Sequence, residues 1–217
     1  MSQENKLQVK EGHYKKWRYT TLPRFISFFY QIDSVVKLEG VSTILEIGPG
    51  SNLVSRELGN IGYKVTTCDF DNSVEPDVIA DVRKLPFEND SFDCIMACQI
   101  LEHIPFEDFE KVVGDLARIT KKYVIISLPN RSTGFELVFK MPFMQTLFKR
   151  RFFDLNIEFP VRFPGFAESD QHYWEIDHFT TSKKKVRQIF GRYFAIKYEF
   201  QPPLNKYHRF FILEKNG

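Results

Sequence analysis

Apolar positions along the chain fall alternately into short continuous runs and into stripes at helical spacing. Thr43 to Ile47 is a β-branched and aliphatic run that predicts a buried strand. A tight turn, Gly48-Pro49-Gly50, follows it, and Leu53, Val54 and Leu58 then give one face of a helix that stops at Gly59-Asn60-Ile61-Gly62. Tyr63 to Cys68 predicts a second strand, Asp77 to Asp81 a short third one, and Phe92 to Cys98 a fourth. Pro105 opens a helix whose buried stripe is Phe106, Phe109, Val112, Val113, Leu116 and Ala117. Its acidic residues come early and its basic ones late, as the helix dipole favours. Lys122 to Leu128 is a fifth strand, ended by Pro129-Asn130. Upstream, Pro23 opens a helix carrying Phe25, Ile26, Phe29, Ile32, Val35 and Val36, assigned to the core because its polar face lacks the cationic row of a membrane-surface helix. Downstream, Thr180 or Thr181 caps a helix through Val186, Ile189 and Phe190 to about Arg192. Ala195 to Phe200 and Tyr207 to Leu213 are the last strands. The linker between them, Gln201 to Lys206, is too short for a parallel crossover, so they pair as an antiparallel hairpin.

Strands alternating with helices predict an α/β fold with a mostly parallel sheet and helices on both faces. The 217 residues suit a single domain. It divides into an N-terminal arm and helix (1–40), a half built on the glycine turn (41–130), an insertion (131–179) and a C-terminal helix with its β-hairpin (180–217). In the arm, His13 to Tyr19 clusters aromatic and basic residues, as a solvated tail or as a flap. In the insertion the periodicity weakens. It carries Phe135, Phe139, Phe143, Phe148, Phe152, Phe153, Phe159, Phe163 and Phe166, with Lys149-Arg150-Arg151, Arg162, Pro142, Pro160 and Pro164. It leaves the sheet where open α/β sheets bind ligands, so it reads as a substrate lid or as an oligomer interface.

The chemistry gathers at the glycine turn. A strand, a turn and a helix N-terminus cradle the polar part of a nucleotide-like cofactor, and Gly48 and Gly50 allow close backbone approach. The same turn also serves as a plain helix entry. A dinucleotide fingerprint needs glycines at its first, third and sixth positions, and the sixth here is Leu53, so a nicotinamide cofactor is disfavoured. Asn52 is tolerated in left-handed geometry. Asp69 ends the second strand 21 positions after Gly48, where a carboxylate accepts from ribose hydroxyls, and Phe70 can lie against an adenine face. Asp81 can hold the adenine amino group beside Val82 and Leu85, or it can cap the turn that follows.

The pattern Glu46-x-Gly48-x-Gly50, with Asp81, Leu85-Pro86-Phe87, Ser91-Phe92-Asp93 and Leu101-Glu102-His103, resembles the type 11 branch of the class I S-adenosylmethionine-dependent methyltransferases, over residues 40 to 130. The resemblance implies a Rossmann-like seven-stranded sheet with an antiparallel last strand, and S-adenosyl-L-methionine as cofactor. It implies that Glu46, Gly48, Pro49, Gly50, Asn52, Asp69, Phe70, Asp81, Val82, Cys98, Gln99 and His103 border that cofactor. His103 could equally pack the helix that follows it.

The insertion adds the chain's densest ionisable cluster, Gln171-His172-Tyr173-Trp174-Glu175-Ile176-Asp177-His178. No matching ligand group elsewhere supports a metal, so none is expected. His172 and Glu175, with His103, are the candidate proton acceptors, against a purely structural hydrogen-bond network.

Composition narrows the substrate. Net charge is only +2, which gives no global field for nucleic acid, and aromatic residues make up 16% of the chain. The expected substrate is a small or amphipathic molecule such as a glycan, quinone or lipid-linked intermediate, methylated on oxygen, nitrogen or carbon. Against this stand a catalytically silent scaffold that keeps the fold and a nucleic-acid methyltransferase using Lys149-Arg150-Arg151 and Lys183-Lys184-Lys185. The N-terminus does not read as a signal peptide, and no apolar run reaches the length of a membrane span. Cys68, Cys94 and Cys98 have no framework spacing, so they read as reduced thiols of a cytoplasmic protein.

Overall fold

The computed structural model describes residues 21–131, 133–159, 172–177 and 181–217. The N-terminal arm, Phe163, Phe166, Arg162, Gln171, His178 and Thr180 lie outside them.

Helix α1 (Leu22–Val36) precedes β1 (Thr43–Ile47), α2 (Leu53–Asn60), β2 (Lys64–Asp69), β3 (Val78–Ile79), β4 (Phe92–Cys98), α3 (Phe106–Ile119) and β5 (Thr120–Pro129). The insertion forms β6 (Thr133–Phe139), α4 (Met144–Phe148) and β7 (Phe153–Phe159). The chain ends with α5 (Lys183–Phe190), β8 (Phe194–Phe200) and β9 (His208–Lys215). Seven strands make one sheet in the order β3-β2-β1-β4-β5-β9-β8, and β6 pairs with β7 apart from it. β1 is parallel to both β2 and β4, β5 is parallel to β4, and β9 runs antiparallel to β5 and to β8. Neighbouring β2 and β4 leave β1 on opposite sides, so the crevice of the sheet opens at the carboxyl end of β1.

The central strands are buried on both faces, which is why they read as continuous apolar runs. Leu45, Ile47, Ile95, Ala97, Val124 and Ile126 pack against α3 and α5, while Ile44, Cys94, Met96, Tyr123 and Ile125 pack against α1 and α2. Asp93 ties the opposite end of the sheet together. Its carboxylate accepts from the Ser42 and Thr43 N–H groups at 3.0 and 2.8 Å and pairs with Lys121 at 3.0 Å.

Three sequence expectations need correcting. In α1, Phe25, Phe29 and Val36 are exposed, and the inner face is Ser27, Gln31, Ser34 and Val35. The polar inner residues find partners: Gln31 donates to Ser27, whose hydroxyl meets His208 Nδ1 at 2.9 Å. The cap of α5 is Ser182, whose hydroxyl accepts from the Lys185 N–H, and not a threonine. β3 stops at Ile79, two residues before Asp81.

Candidate active site

β1 delivers Glu46 and the glycine turn to the crevice. Gly48 sits at φ +71°, and its N–H donates to the Cys68 carbonyl at 2.9 Å, prolonging the β1–β2 pairing by one bond. A Cβ on Gly48 would lie 1.9 Å from Ile100 Cδ1, so glycine is required here by conformation and by space. Pro49 is buried in the turn. Gly50 and Asn52 are also left-handed, at φ +54° and +56°, and the Asn52 amide donates to the Val74 carbonyl at 2.9 Å. An asparagine therefore fills the left-handed position and pins the next loop. Glu46 is 5% exposed, and its Oε2 has no hydrogen-bond partner among the described residues. Burial pushes its carboxyl up to about 8, against the lowering pull of Ser55.

Asp69 ends β2 and accepts from the Asp71 N–H at 2.9 Å. Burial raises its pKa, and that hydrogen bond opposes the rise. Phe70 beside it is 43% exposed. Asp81 takes the role of a turn cap: its Oδ1 accepts from the Arg83 N–H at 2.9 Å, and its Oδ2 pairs with the Arg83 guanidinium at 2.6 Å. An adenine amino group would have to compete with Arg83 for that carboxylate. Val82 and Leu85 are core residues on the same loop. At the end of β4, burial pushes the Cys98 thiol up to about 12, so it is no nucleophile at neutral pH. Gln99 is left-handed at φ +59°; its N–H donates to the Ser127 carbonyl and its side-chain amide to the Ser127 hydroxyl.

Across the crevice the segment from His172 to Asp177 docks on the carboxyl ends of β4 and β5. The Tyr173 N–H donates to the Glu102 carbonyl and the Ile176 N–H to the Pro129 carbonyl, each at 2.9 Å. Trp174 is 2% exposed, donates Nε1–H to the Ile104 carbonyl at 3.0 Å and packs edge-on to Phe106 and Phe109. These anchors bring His172 beside His103, with ring centroids 4.9 Å apart. His172 Nδ1 lies 2.7 Å from Glu175 Oε1, the Tyr207 hydroxyl donates to the same oxygen at 2.8 Å, and Arg131 Nε is 2.5 Å from Oε2. Burial alone would raise the Glu175 pKa, but the bonds from His172 and Tyr207 and the Arg131 charge bring it below the ordinary value. An ionised Glu175 fixes the hydrogen on His172 Nδ1 and leaves Nε2 as the proton acceptor. Glu102, His103 and His172 also have ligand atoms within 4.8 Å of one another, close enough to surround a cation. The arrangement can therefore accept a proton.

The sequence matches the model of a methyltransferase domain family over residues 45–128, from β1 to the end of β5. The match covers 84 of the 217 residues, the stretch that carries the glycine turn. No curated protein sequence matches it. Among solved structures, it is similar to the N-methyltransferase NodS of Bradyrhizobium japonicum bound to S-adenosyl-L-homocysteine. That match has 8% identity and a TM-score of 0.61, covering 93% of this chain and 92% of the other. The magnesium protoporphyrin IX methyltransferase of Synechocystis matches at 16% identity and TM-score 0.57, covering 89% and 83%. A protein of Pyrococcus horikoshii matches at 14% and 0.59, covering 96% and 100%. At such identities the likeness is one of fold. Among the described residues no helix is long and apolar enough to cross a membrane.

The matched region ends before the insertion, and the side chains that bond Glu175 come from outside it. Sequence reasoning did not single out Tyr207 or Arg131, which complete the Glu175 network. The available signal was the adjacency of Tyr207 to a strand that must lie beside β5, since Pro129 pairs with His208.

Glu102 is 0% exposed, and neither carboxyl oxygen has a hydrogen-bond partner among the described residues. Burial pushes its pKa from 4.5 up to about 8, its own N–H lowers it, and Glu175 raises it again. A raised carboxyl contributes stability that is present at low pH and lost as pH climbs from 4.5 towards 8, because the unfolded chain releases that proton first. Glu102→Gln is expected to flatten the decline of the protein's melting temperature between pH 5 and pH 8. Parallel pH curves for both proteins would show that this carboxyl does not titrate in that window.

Proposed function

We propose that this methyltransferase acts on a small or amphipathic molecule, and that His172, held by Glu175, accepts the proton its nucleophile gives up. The observation that carries this reading is the His172–Glu175–Tyr207–Arg131 network beside His103 at the carboxyl edge of the sheet.

The cofactor brings a methyl group already activated on a sulfonium. The residues of the crevice fit such a group. Glu46 offers a buried carboxyl oxygen without a partner among the described residues, suited to a cationic or hydrogen-bond-donating head. Asp69 stands at the strand end where ribose hydroxyls are held in this fold class. Gly48, Pro49, Gly50 and Asn52 shape the backbone cradle, and Cys98, Gln99 and His103 border its far side. Phe70 is exposed and available to a flat ring. The protein's contribution is then alignment of the nucleophile with the methyl group, and removal of a proton when that nucleophile is a hydroxyl.

A nucleic-acid substrate fits less well. Lys183 is paired with Glu158 and Asp177, and Lys185 lies over the Phe106 ring at 4.5 Å. Those two lysines therefore serve the fold.

Calorimetric titration tests the cofactor part: S-adenosylmethionine and its demethylated product should bind, and NAD should not. Asp69→Ala is expected to weaken that binding by about 1–3 kcal/mol, the cost of lost hydrogen bonds to a charged acceptor. An unchanged dissociation constant would remove Asp69 from the site. Incubating metabolite extracts with methyl-labelled cofactor and identifying what gains label tests the substrate class. Label appearing only in nucleic acid, or a protein that binds cofactor and labels nothing, would overturn it.

A further inference from the structure

We propose that the outer face of the insertion hairpin docks on an anionic membrane surface. The β6–β7 pair is amphipathic with its sides reversed. An antiparallel pair on a globular protein normally turns its apolar side chains inward and its polar ones to water. Here the polar row is the inner one. Glu136 Oε1 accepts from the Leu204 N–H at 2.7 Å, Asp154 pairs with Lys206 at 2.6 Å, and Asn156 donates to Gln201 at 3.1 Å. Glu158 pairs with Arg209 at 2.5 Å and with Lys183 at 2.9 Å. Register alternation then sends Phe135, Leu137, Leu155 and Ile157 to the opposite side, where all four are exposed, Phe135 by 73%. These polar anchors fix the register, since a slip of one residue would exchange the two faces.

The tip continues the same chemistry. Phe143 and Leu147 are 77% and 71% exposed, while Met144 turns inward. Lys140, Lys149, Arg150 and Arg151 surround them, all exposed, with no ion-pair partner among the described residues and no acidic residue anywhere from 140 to 152. Large apolar side chains fringed by unanswered cations suit the interface of an anionic bilayer. The rings and aliphatic groups enter the acyl boundary, and the lysines and arginines stay among the headgroups. A second copy of the chain is a poorer occupant, because a two-fold pairing would bring two cationic tips together with no carboxylate to meet them.

The docking claim stands on the hairpin alone. Its consequence for substrate rests on the reading above: Arg209 joins Glu158 of the hairpin to Asn130 at the end of β5, and the Asn130 N–H donates to the Tyr207 carbonyl. A docked hairpin would hold the His172–Glu175 network near the bilayer, where an amphipathic substrate resides.

Flotation of the full chain with phosphatidylcholine vesicles, with and without phosphatidylglycerol, tests the proposal. The protein should float with the anionic vesicles, bind the neutral ones weakly and release in high salt. The triple change Lys149→Glu, Arg150→Glu and Arg151→Glu should lower the partition coefficient by about 100-fold or more. The pair Phe143→Ser and Leu147→Ser should lower it on both vesicle types. All five side chains are exposed, so cofactor affinity and melting temperature should stay at wild-type values and report an intact fold. Wild-type protein that stays unbound with anionic vesicles, or variants that float as well as it does, would overturn the proposal. So would a dimer that Phe143→Ser and Leu147→Ser dissolve, which would make the face a self-interface. Protein that binds cofactor without vesicles sinks only the docking; protein that binds vesicles without cofactor sinks only the functional reading.

Discussion

Trp174→Ala is expected to cost the protein about 3–5 kcal/mol, the range for removing a large aromatic side chain from a packed core. Trp174 is 2% exposed and meets Phe106 and Phe109 at centroid distances of 5.0 and 4.9 Å. Truncation would leave a void beside α3 and would strand the Ile104 carbonyl, which accepts the indole N–H at 3.0 Å. The change should lower the midpoint of urea unfolding while leaving the slope unchanged, as expected when the unfolded state is unaffected. Trp174→Phe separates the two contributions. It keeps much of the ring and loses the hydrogen bond, so roughly 1 kcal/mol of the loss should remain from the carbonyl, plus a smaller packing deficit. A cost under about 1 kcal/mol for the alanine variant would mean that the segment rests on the domain without belonging to its core.

That result bears on how the insertion moves. The expected lid spans residues 131–179, but two parts of that stretch are tied down. The hairpin is held by Lys206, Gln201, Arg209 and Lys183, and the segment around Trp174 is bonded to Glu102 and Pro129 through its backbone. The Tyr173 and Ile176 amides should therefore exchange slowly in the free protein. Closure over a ligand would have to carry these anchored parts as a body or leave them in place.

The sheet was legible in the sequence because buried parallel strands must be apolar on both faces, and runs such as Thr43–Ile47 and Phe92–Cys98 leave few other readings. The antiparallel ending followed from a linker too short for a crossover. The face of α1 was not legible. The helix carries apolar residues all around, and its inner side meets Tyr30–Phe200 packing and the Ser27–His208 hydrogen bond, both made with strands far along the chain. In the insertion the signal was present but masked by the number of aromatics. Phe135, Leu137 and Phe139, and again Phe153, Leu155, Ile157 and Phe159, alternate with a strand's period of two. The glycine turn announced itself through Gly48 and Gly50, since few residues accept that geometry. Glu175 could not reveal its partners, because Arg131 and Tyr207 meet it only after β5 and β9 have paired.

His172→Ala is expected to lower kcat by about 10²- to 10⁴-fold on a hydroxyl substrate, the usual loss on removing a general base, with cofactor affinity unchanged. The geometry separates this from a structural effect. In the variant, Glu175 keeps Arg131 and Tyr207, so its carboxylate stays partnered and the melting temperature should move little. Glu175→Ala instead removes the acceptor for three side chains and should cost stability as well as rate. His103→Ala is the decisive control, because the two rings are only 4.9 Å apart and either could face the substrate. If His103→Ala alone removes turnover, the base is His103 and His172 serves to position it. Full turnover in a folded His172→Ala protein would leave the Glu175 network with a structural role only.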